Sequence, residues 1–250
     1  VLTLRLNRPR AGNSLSLPMI AALQAALDDA ALDEAVHVIV LEAAGGKVFC
    51  AGADLKYVRE QTQGDESANA AFLQTVLRLM NRLETFPKPV IAAINGLALA
   101  GGLELVLCCD LVIAARSAKI GDAHANFGLL PGGGSSVRLP RKIGPTRAKY
   151  LLYTGEFVPA EQLVEAGLVN EVVDDADLMP ATQRLVAKLV PKSSLVLRRM
   201  KALVDDGLEQ PSETALRLEL LASEVHSHSH DMREGLAAFE EKRKPQFKGC

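Results

Sequence analysis

Val90-Ile91-Ala92-Ala93-Ile94-Asn95-Gly96-Leu97-Ala98-Leu99-Ala100-Gly101-Gly102-Leu103-Glu104-Leu105-Val106-Leu107-Cys108-Cys109-Asp110 is the stretch whose reading decides the fold. Val90–Ile94 is short, apolar on every residue and rich in β-branched side chains, which predicts a strand buried on both faces. Asn95-Gly96 ends it, and Gly101-Gly102 opens a helix that runs on through Leu107 with adjacent Cys108 and Cys109 inside its apolar run. A helix start leaves backbone N–H groups unpaired at the positive end of the macrodipole, and glycine there lets another atom come close. The N–H of Gly101, paired with that of Ala53 in a second small-residue turn, Cys50-Ala51-Gly52-Ala53-Asp54, could grip an oxyanion.

Glu104 lies three residues after Gly101, on the same helix face and among Leu103, Leu105, Val106 and Leu107. A carboxylate in apolar surroundings needs a partner or a proton. Such surroundings raise its pKa toward neutrality, as a general acid/base requires. The alternative is a packing role, with Glu104 tied to a distant Arg.

Outward from this stretch, short strands alternate with helices. Strands are predicted at Val1–Leu6, Val36–Leu41 and Asp110–Ala115. Helices are predicted after the N-cap Ser16 and over Ala70–Leu83, where Phe72, Val76, Leu79, Met80 and Leu83 share a face. Beyond about residue 140 consecutive helices take over: Pro145–Thr154, Ala160–Ala166, Ala176–Val190, Ser193–Asp206, Ser212–Val225 and Asp231–Glu241, interrupted by a strand at Leu168–Val173. The pattern is that of an α/β domain with a helical C-terminal region.

Composition narrows the partners. With 28 Lys and Arg against 30 Asp and Glu, the chain has no excess of positive charge for a polyanion. Aromatics at 4% with no Trp leave little to stack on bases. Neither nucleic acid nor membrane is an expected partner: the longest apolar stretch, Pro89–Ala100, is broken at Asn95-Gly96. The four cysteines form no CxxC pair or disulfide framework, and no basic-then-apolar leader opens the chain, so a reducing compartment is expected, cytoplasm or organelle matrix. His226, His228 and His230 read as an exposed polar face, and no metal site is expected. Pro131-Gly132-Gly133-Gly134-Ser135-Ser136 lacks the Lys-Ser/Thr of a phosphate loop and reads as a helix-opening turn that shapes a pocket. A Gly-x-Ser-x-Gly elbow and a dinucleotide fingerprint are both missing, against a serine hydrolase and a nicotinamide enzyme.

Leu6-Asn7-Arg8-Pro9 with Asn13-Ser14-Leu15, Phe49-Cys50-Ala51-Gly52-Ala53-Asp54-Leu55, Pro87-Lys88-Pro89-Val90-Ile91-Ala92-Ala93-Ile94-Asn95-Gly96, Ala100-Gly101-Gly102-Leu103-Glu104-Leu105, Cys109-Asp110-Leu111, Gly128-Leu129-Leu130-Pro131-Gly132-Gly133-Gly134 and Phe239-Glu240-Glu241-Lys242-Arg243-Lys244-Pro245 together resemble the enoyl-CoA hydratase/isomerase (crotonase) superfamily, in the family's order from residue 5 to 247. The resemblance implies an α/β spiral of repeated β-β-α turns as an acyl-CoA-binding core over residues 1–190, and a helical trimerisation region over 191–250. It implies an acyl-CoA thioester as substrate, coenzyme A being part of it and no further cofactor needed, and a homotrimer or dimer of trimers. Ala53 and Gly101 would form the oxyanion hole, and Glu104 matches the first catalytic glutamate of the hydratases. Arg10, Ala51, Asp54 and Leu55 would bind coenzyme A, with Phe239 and Lys242 reaching in from the tail, of the same chain or a neighbour. Lys242-Arg243-Lys244 reads equally well as a solvated helix end.

The chain departs from the family at one position. The hydratases' second glutamate falls eight residues before the glycine of Pro131-Gly132, where this chain has His124. An imidazole also exchanges protons near neutral pH, but with different charge and reach. Hydration, double-bond migration by one base, and hydrolysis or retro-aldol cleavage all stay open, as does a non-catalytic CoA-ester binding protein.

Overall fold

Each short apolar run of the sequence becomes a parallel strand, and the connections between them wind in one direction. A computed structural model of the chain describes residues 1–62 and 65–250. Five strands, β1 (Leu2–Leu6), β2 (Ile39–Ala43), β4 (Val90–Ile94), β6 (Leu111–Ala115) and β9 (Glu171–Val173), pair in that order, all parallel. A second sheet holds β3 (Val48–Cys50), β5 (Leu97–Leu99) and β7 (Lys119–Gly121) in parallel, with β8 (Val158–Pro159) antiparallel to β7. Parallel neighbours need a crossover between them, and here every crossover after the first begins with a strand of the second sheet and goes on into helix. The successive turns are β2-β3 with α2 (Leu55–Thr62) and α3 (Glu66–Glu84), β4-β5 with α4 (Gly101–Leu107), and β6-β7 with α5 (Ser135–Ile143) and α6 (Pro145–Thr154). This is the β-β-α spiral that the motifs imply.

The central strands of the larger sheet, β2, β4 and β6, are apolar except at Glu42 because both of their faces are covered. Ile39, Leu41, Val90, Ala92, Ile94, Val112 and Ala114 face the main core, which also takes Ile20, Leu23 and Leu27 of α1 (Leu17–Leu32). The alternate residues Val40, Ile91, Ala93, Ile113 and Ala115 pack with Leu178 and Ala181 of α7 (Leu178–Leu189). Such period-two sorting under cover on both sides explains why the sequence shows continuous apolar runs rather than alternation.

Helices α8 (Ser194–Leu208), α9 (Ser212–Ser227) and α10 (His230–Glu240) follow. Lys201 of α8 joins Asp110 at 3.0 Å, which ties the helical layer to the start of β6. No residue of α9 is buried, and Leu216, Leu220, Leu221 and Val225 are exposed beside Met200, Val204 and Leu208 of α8.

The differences from the sequence reading lie at element ends and in the smallest strands. Leu97–Leu99, inside the small-residue turn after Asn95, and Lys119–Gly121, to which the sequence assigns no element, are strands three residues long. They are too short to show a period. Val36–Leu41 contributes a strand that starts three residues later and ends two later, as Ile39–Ala43, and Ala160–Ala166 is a 3-10 turn over Ala160–Leu163. The helix opened at Gly101 stops at Leu107, leaving Cys108 and Cys109 buried beyond its end.

Gly102 sets how closely α4 can approach β3: a Cβ there would sit 2.0 Å from the carbonyl oxygen of Cys50. Neither backbone can yield without breaking the strand or the helix start. Gly102→Ala is therefore expected to cost about 3 kcal/mol, the upper end for overpacking. Chemical denaturation measures it; a loss within experimental error would mean that this contact does not set the approach.

Candidate active site

The second sheet brings three chain exits side by side. Cys50 is paired with Ala98, and Leu99 with Gly121, so the segments leaving β3, β5 and β7 emerge next to one another. They carry Ala51-Gly52-Ala53, Ala100-Gly101 and Asp122-Ala123-His124. The carboxyl ends of parallel strands are where open sheets place ligand sites. A cavity of about 340 Å³ opens there, and Ala51, Ala53, Leu55, Gly101, Glu104 and His124 all line it. Phe72, Leu73 and Val76 of α3, together with Phe127, Leu130 and Phe157, make the rest of its wall largely apolar. Two other depressions, a groove of about 400 Å³ between α8 and α9 and one of about 610 Å³ under the C-terminal tail, contain none of the predicted groups.

Ala53 and Gly101 present free amides. Leu15 bridges to Ala53 in parallel fashion: the Leu15 N–H donates to Gly52 O at 2.8 Å and the Asp54 N–H to Leu15 O at 2.9 Å. That pattern turns the Ala53 N–H away from Leu15. Across from it, a Cβ on Gly101 would lie 3.4 Å from Ala53 N and 3.1 Å from Gly52 Cα, so the two turns are in contact. Among the described residues neither amide donates a hydrogen bond. Ala100, just ahead of Gly101, has φ 48° and ψ −116°, a conformation that a side chain disfavours. It is held there by its own N–H donating to Gly121 O at 3.1 Å and by its carbonyl accepting from Glu104 N at 3.0 Å. Strain next to an open amide is the mark of a site built for something other than stability.

Glu104 is 2% exposed. Its Oε1 accepts from the N–H groups of Gly133 at 2.8 Å and Ser135 at 3.1 Å. Oε2 lies beside Gly133, where a Cβ would come within 2.5 Å, so the Gly-rich turn is shaped around the carboxylate. Burial pushes the Glu104 pKa up, against the pull of the Ser135 amide, the charge of His124 and the Gly133 amide. The packing alternative, an Arg–Glu pair, is not what the structure holds. Arg138, buried near this turn, gives its bonds to Gly133 O at 2.7 Å, Asn81 Oδ1 at 2.7 Å and Glu84 Oε2 at 2.6 Å. Arg138 braces the turn that holds Glu104 rather than neutralising Glu104 itself.

His124 is half-buried, with Nδ1 2.9 Å from Asp122 Oδ1. Burial works to lower its pKa, but the hydrogen bond and charge of Asp122, with the charge of Glu104, outweigh that and raise it above 6.5. Asp122, Arg138 and Glu84 were missed in the sequence. Asp122 stands two residues before His124, a spacing that means little until the left-handed Ala123, φ 62°, folds the ring back over it. Arg138 and Glu84 are 54 residues apart in the chain. Nothing local announces them.

The expected coenzyme A contacts divide. Ala51 and Leu55 line the cavity, and the turn that carries Arg10 is tied to it through the Ala51 N–H donating to Gly12 O at 2.9 Å. Arg10 itself is exposed and outside the cavity wall. The Asp54 carboxylate is engaged within the chain, accepting from Arg8 at 2.8 Å and from Tyr57 N at 3.0 Å, which caps α2 and holds its pKa low despite partial burial. Phe239, 83% exposed, and Lys242 lie at the end of α10 and do not line this cavity within the chain. In the basic run after them Arg243 is paired with Glu234 at 2.6 Å. His226 contacts Arg199 at 2.8 Å, and no group of three metal-ligating side chains occurs among the described residues.

Compared with known proteins, the whole chain, residues 1–250, matches a family model described as enoyl-CoA hydratase/isomerase. It is 37% identical to a crotonyl-CoA hydratase of Syntrophomonas wolfei, over 98% of this chain and 93% of that one. It is 35% identical to human mitochondrial methylglutaconyl-CoA hydratase, over 100% of this chain and 74% of that one. A crystal structure of enoyl-CoA hydratase from Bacillus anthracis superposes with a TM-score of 0.94 at 40% identity, covering 99% of this chain and 95% of that one.

Arg138→Ala would leave the Gly133 carbonyl and the Asn81 and Glu84 side chains without their shared donor. It is expected to destabilise the fold by about 3 kcal/mol. Denaturant titration checks this, and a change below about 0.5 kcal/mol, the level of an ordinary surface substitution, would remove Arg138 from the bracing role.

Proposed function

Because the chain belongs to the enoyl-CoA hydratase/isomerase (crotonase) family and is an acyl-CoA-processing enzyme, we propose that it stabilises a thioester enolate between the amides of Ala53 and Gly101, with Glu104 as the principal acid/base and His124 as the second proton-transfer group. The observation that carries this reading is two unengaged amides in contact across one cavity with a buried carboxylate whose pKa is raised. When a nucleophile or base acts on the acyl group, negative charge moves onto the thioester oxygen. Two fixed N–H donors stabilise it there without reorganising. α4 has only seven residues, so the direct hydrogen bond from Gly101 matters more than the helix dipole.

Hydration is the reaction we favour. Glu104 takes a proton from water as its oxygen adds to the β-carbon, and the electron pair of the double bond passes to the thioester oxygen. His124 then returns a proton to the α-carbon. Isomerisation by a single base and hydrolysis use the same oxyanion hole, and His124 in place of a glutamate keeps them as second readings. The apolar wall formed by Phe72, Leu73, Val76 and Phe127 supports an acyl chain as the part of the substrate that it encloses. In this reading coenzyme A enters with the substrate, and no separate cofactor takes part. Ala51 and Leu55 are the coenzyme A contacts best supported. The roles of Arg10, Asp54, Phe239 and Lys242 rest on the family resemblance, the last two through a neighbouring subunit.

The exposed apolar faces of α8 and α9 support a homotrimer or a dimer of trimers. No helix among the described residues is long and apolar enough to cross a membrane, and an aqueous compartment, cytoplasm or organelle matrix, is the proposed setting.

Glu104→Gln is expected to lower turnover of the preferred acyl-CoA by roughly 10²–10⁴-fold, the usual worth of a positioned acid/base, while binding of the ester persists. Steady-state kinetics with calorimetry measures both; unchanged turnover would remove Glu104 from the chemistry, and binding without turnover in either protein would leave a CoA-ester binding protein as the better account. His124→Glu restores a carboxylate pair and is expected to raise hydration of crotonyl-CoA. If hydration falls instead, the imidazole is itself adapted to the reaction.

A further inference from the structure

Asp122 is a buried carboxylate beside the cavity that the reaction above does not use. It is 1% exposed and is absent from the cavity wall. Its Oδ1 accepts twice from the same residue, from the His124 ring Nδ1 at 2.9 Å and from the His124 backbone N–H at 3.2 Å. Its Oδ2 is buried and has no hydrogen-bond partner among the described residues. Leaving an acceptor unsatisfied is costly, and a left-handed alanine between the two residues adds strain. Both costs fall on one short turn, and both bring the carboxylate under the ring.

We propose that Asp122 is the positioning residue of His124, fixing the ring with its proton on Nδ1, leaving Nε2 for the acyl group and keeping the ring positively charged until it reacts. The inference rests on the reading of His124 as the second proton-transfer group. A carboxylate only accepts, so the ring nitrogen facing it is the donor. The proton step balances: the Nε2–H bond breaks, a C–H bond forms at the α-carbon, the imidazolium becomes neutral imidazole, and the enolate loses its negative charge. Nδ1–H stays on Asp122 throughout. A neutral carboxylic acid in the same place would finish as an anion; the imidazolium finishes neutral.

The groups that face the ring are few. Glu104 of α4 acts on it from across the cavity, and Asp122 lies beneath it. From its own turn and beyond α6 come Phe127 and Phe157. α6, packed against this turn, carries Arg147, Lys149, Tyr150 and Tyr153, all exposed, with Tyr150 donating to Glu156 at 2.7 Å. The charge on His124 is therefore governed by Asp122 and Glu104.

The test is histidine-selective nitrogen NMR of the full chain, with the His124 signal identified by its loss in His124→Gln, alongside the pH profile of crotonyl-CoA hydration. Wild type should show a protonated Nδ1. In Asp122→Asn the ring midpoint should fall by about one pH unit or more, as expected on losing an adjacent opposite charge. The alkaline limb of kcat should move down with it, and kcat should drop roughly 10–100-fold with little change in KM. Asp122→Glu should recover part of both shifts. An unchanged ring midpoint and limb would overturn the proposal, even if activity fell. Should Asp122→Asn fail to fold, the wild-type tautomer decides, since a proton on Nε2 with bare Nδ1 contradicts it. If the ring responds to Asp122→Asn but wild type turns over no acyl-CoA ester, the positioning role stands and the proposed reaction fails.

Discussion

The structure depends on the parallel pairing of three strands that are each three residues long, β3, β5 and β7. Their register places the turns after Cys50, Leu99 and Gly121 next to one another, and every group proposed to act on the substrate hangs from one of those turns or from the helix that follows it. Strands this short contribute little burial of their own. Each follows closely on a five-residue strand of the main sheet, such as Val90–Ile94 before Leu97–Leu99, whose two faces are fully covered and which anchors it. The stability of the larger sheet is what permits the smaller one to be sparing of side chains, and small side chains are what let the turns come together.

That economy is visible at Gly102 and Ala100. Gly102 allows α4 to rest on the Cys50 carbonyl, and Ala100 is strained by φ 48° so that the next amide turns outward. Glu104, one turn further, is then carried into the cavity with no cation bonded to it among the described residues, His124 acting on it only through its charge. Two amides of the Gly133–Ser135 turn replace water around one of its oxygens, and burial raises its affinity for a proton. A buried carboxylate held by neutral donors has its pKa raised by burial; one paired with Arg138 would be pulled toward its charged form. The structure directs that guanidinium to Gly133 O, Asn81 and Glu84 instead.

Much of this was legible in the sequence where the signal is local. Val90–Ile94 read as a buried strand, Pro145–Thr154 as a helix at its full bounds, and the Gly101–Glu104 spacing as an amide and a carboxylate on one helix face. What the sequence did not give up was relational. Leu97–Leu99 is too short to have a period, so its strand exists only because β3 and β7 flank it. Asp122 is an ordinary turn residue by sequence, and becomes significant only when φ 62° at Ala123 curls His124 back onto it. Asp54 was read as a substrate contact because of its motif; the structure occupies its carboxylate with Arg8 and the start of α2. Phe239 and Lys242 lie outside the chain's own cavity, so any part they take in the site passes through assembly with a neighbour.

The claim on which the account turns is that a thioester oxygen is bound between two main-chain amides. A crystal structure with an unreactive acyl-CoA bound tests it most directly. The account predicts the carbonyl oxygen roughly 2.7–3.1 Å from both Ala53 N and Gly101 N, with Glu104 facing the acyl carbons. A thioester bound with its oxygen directed to solvent, or to any group other than these two amides, contradicts it.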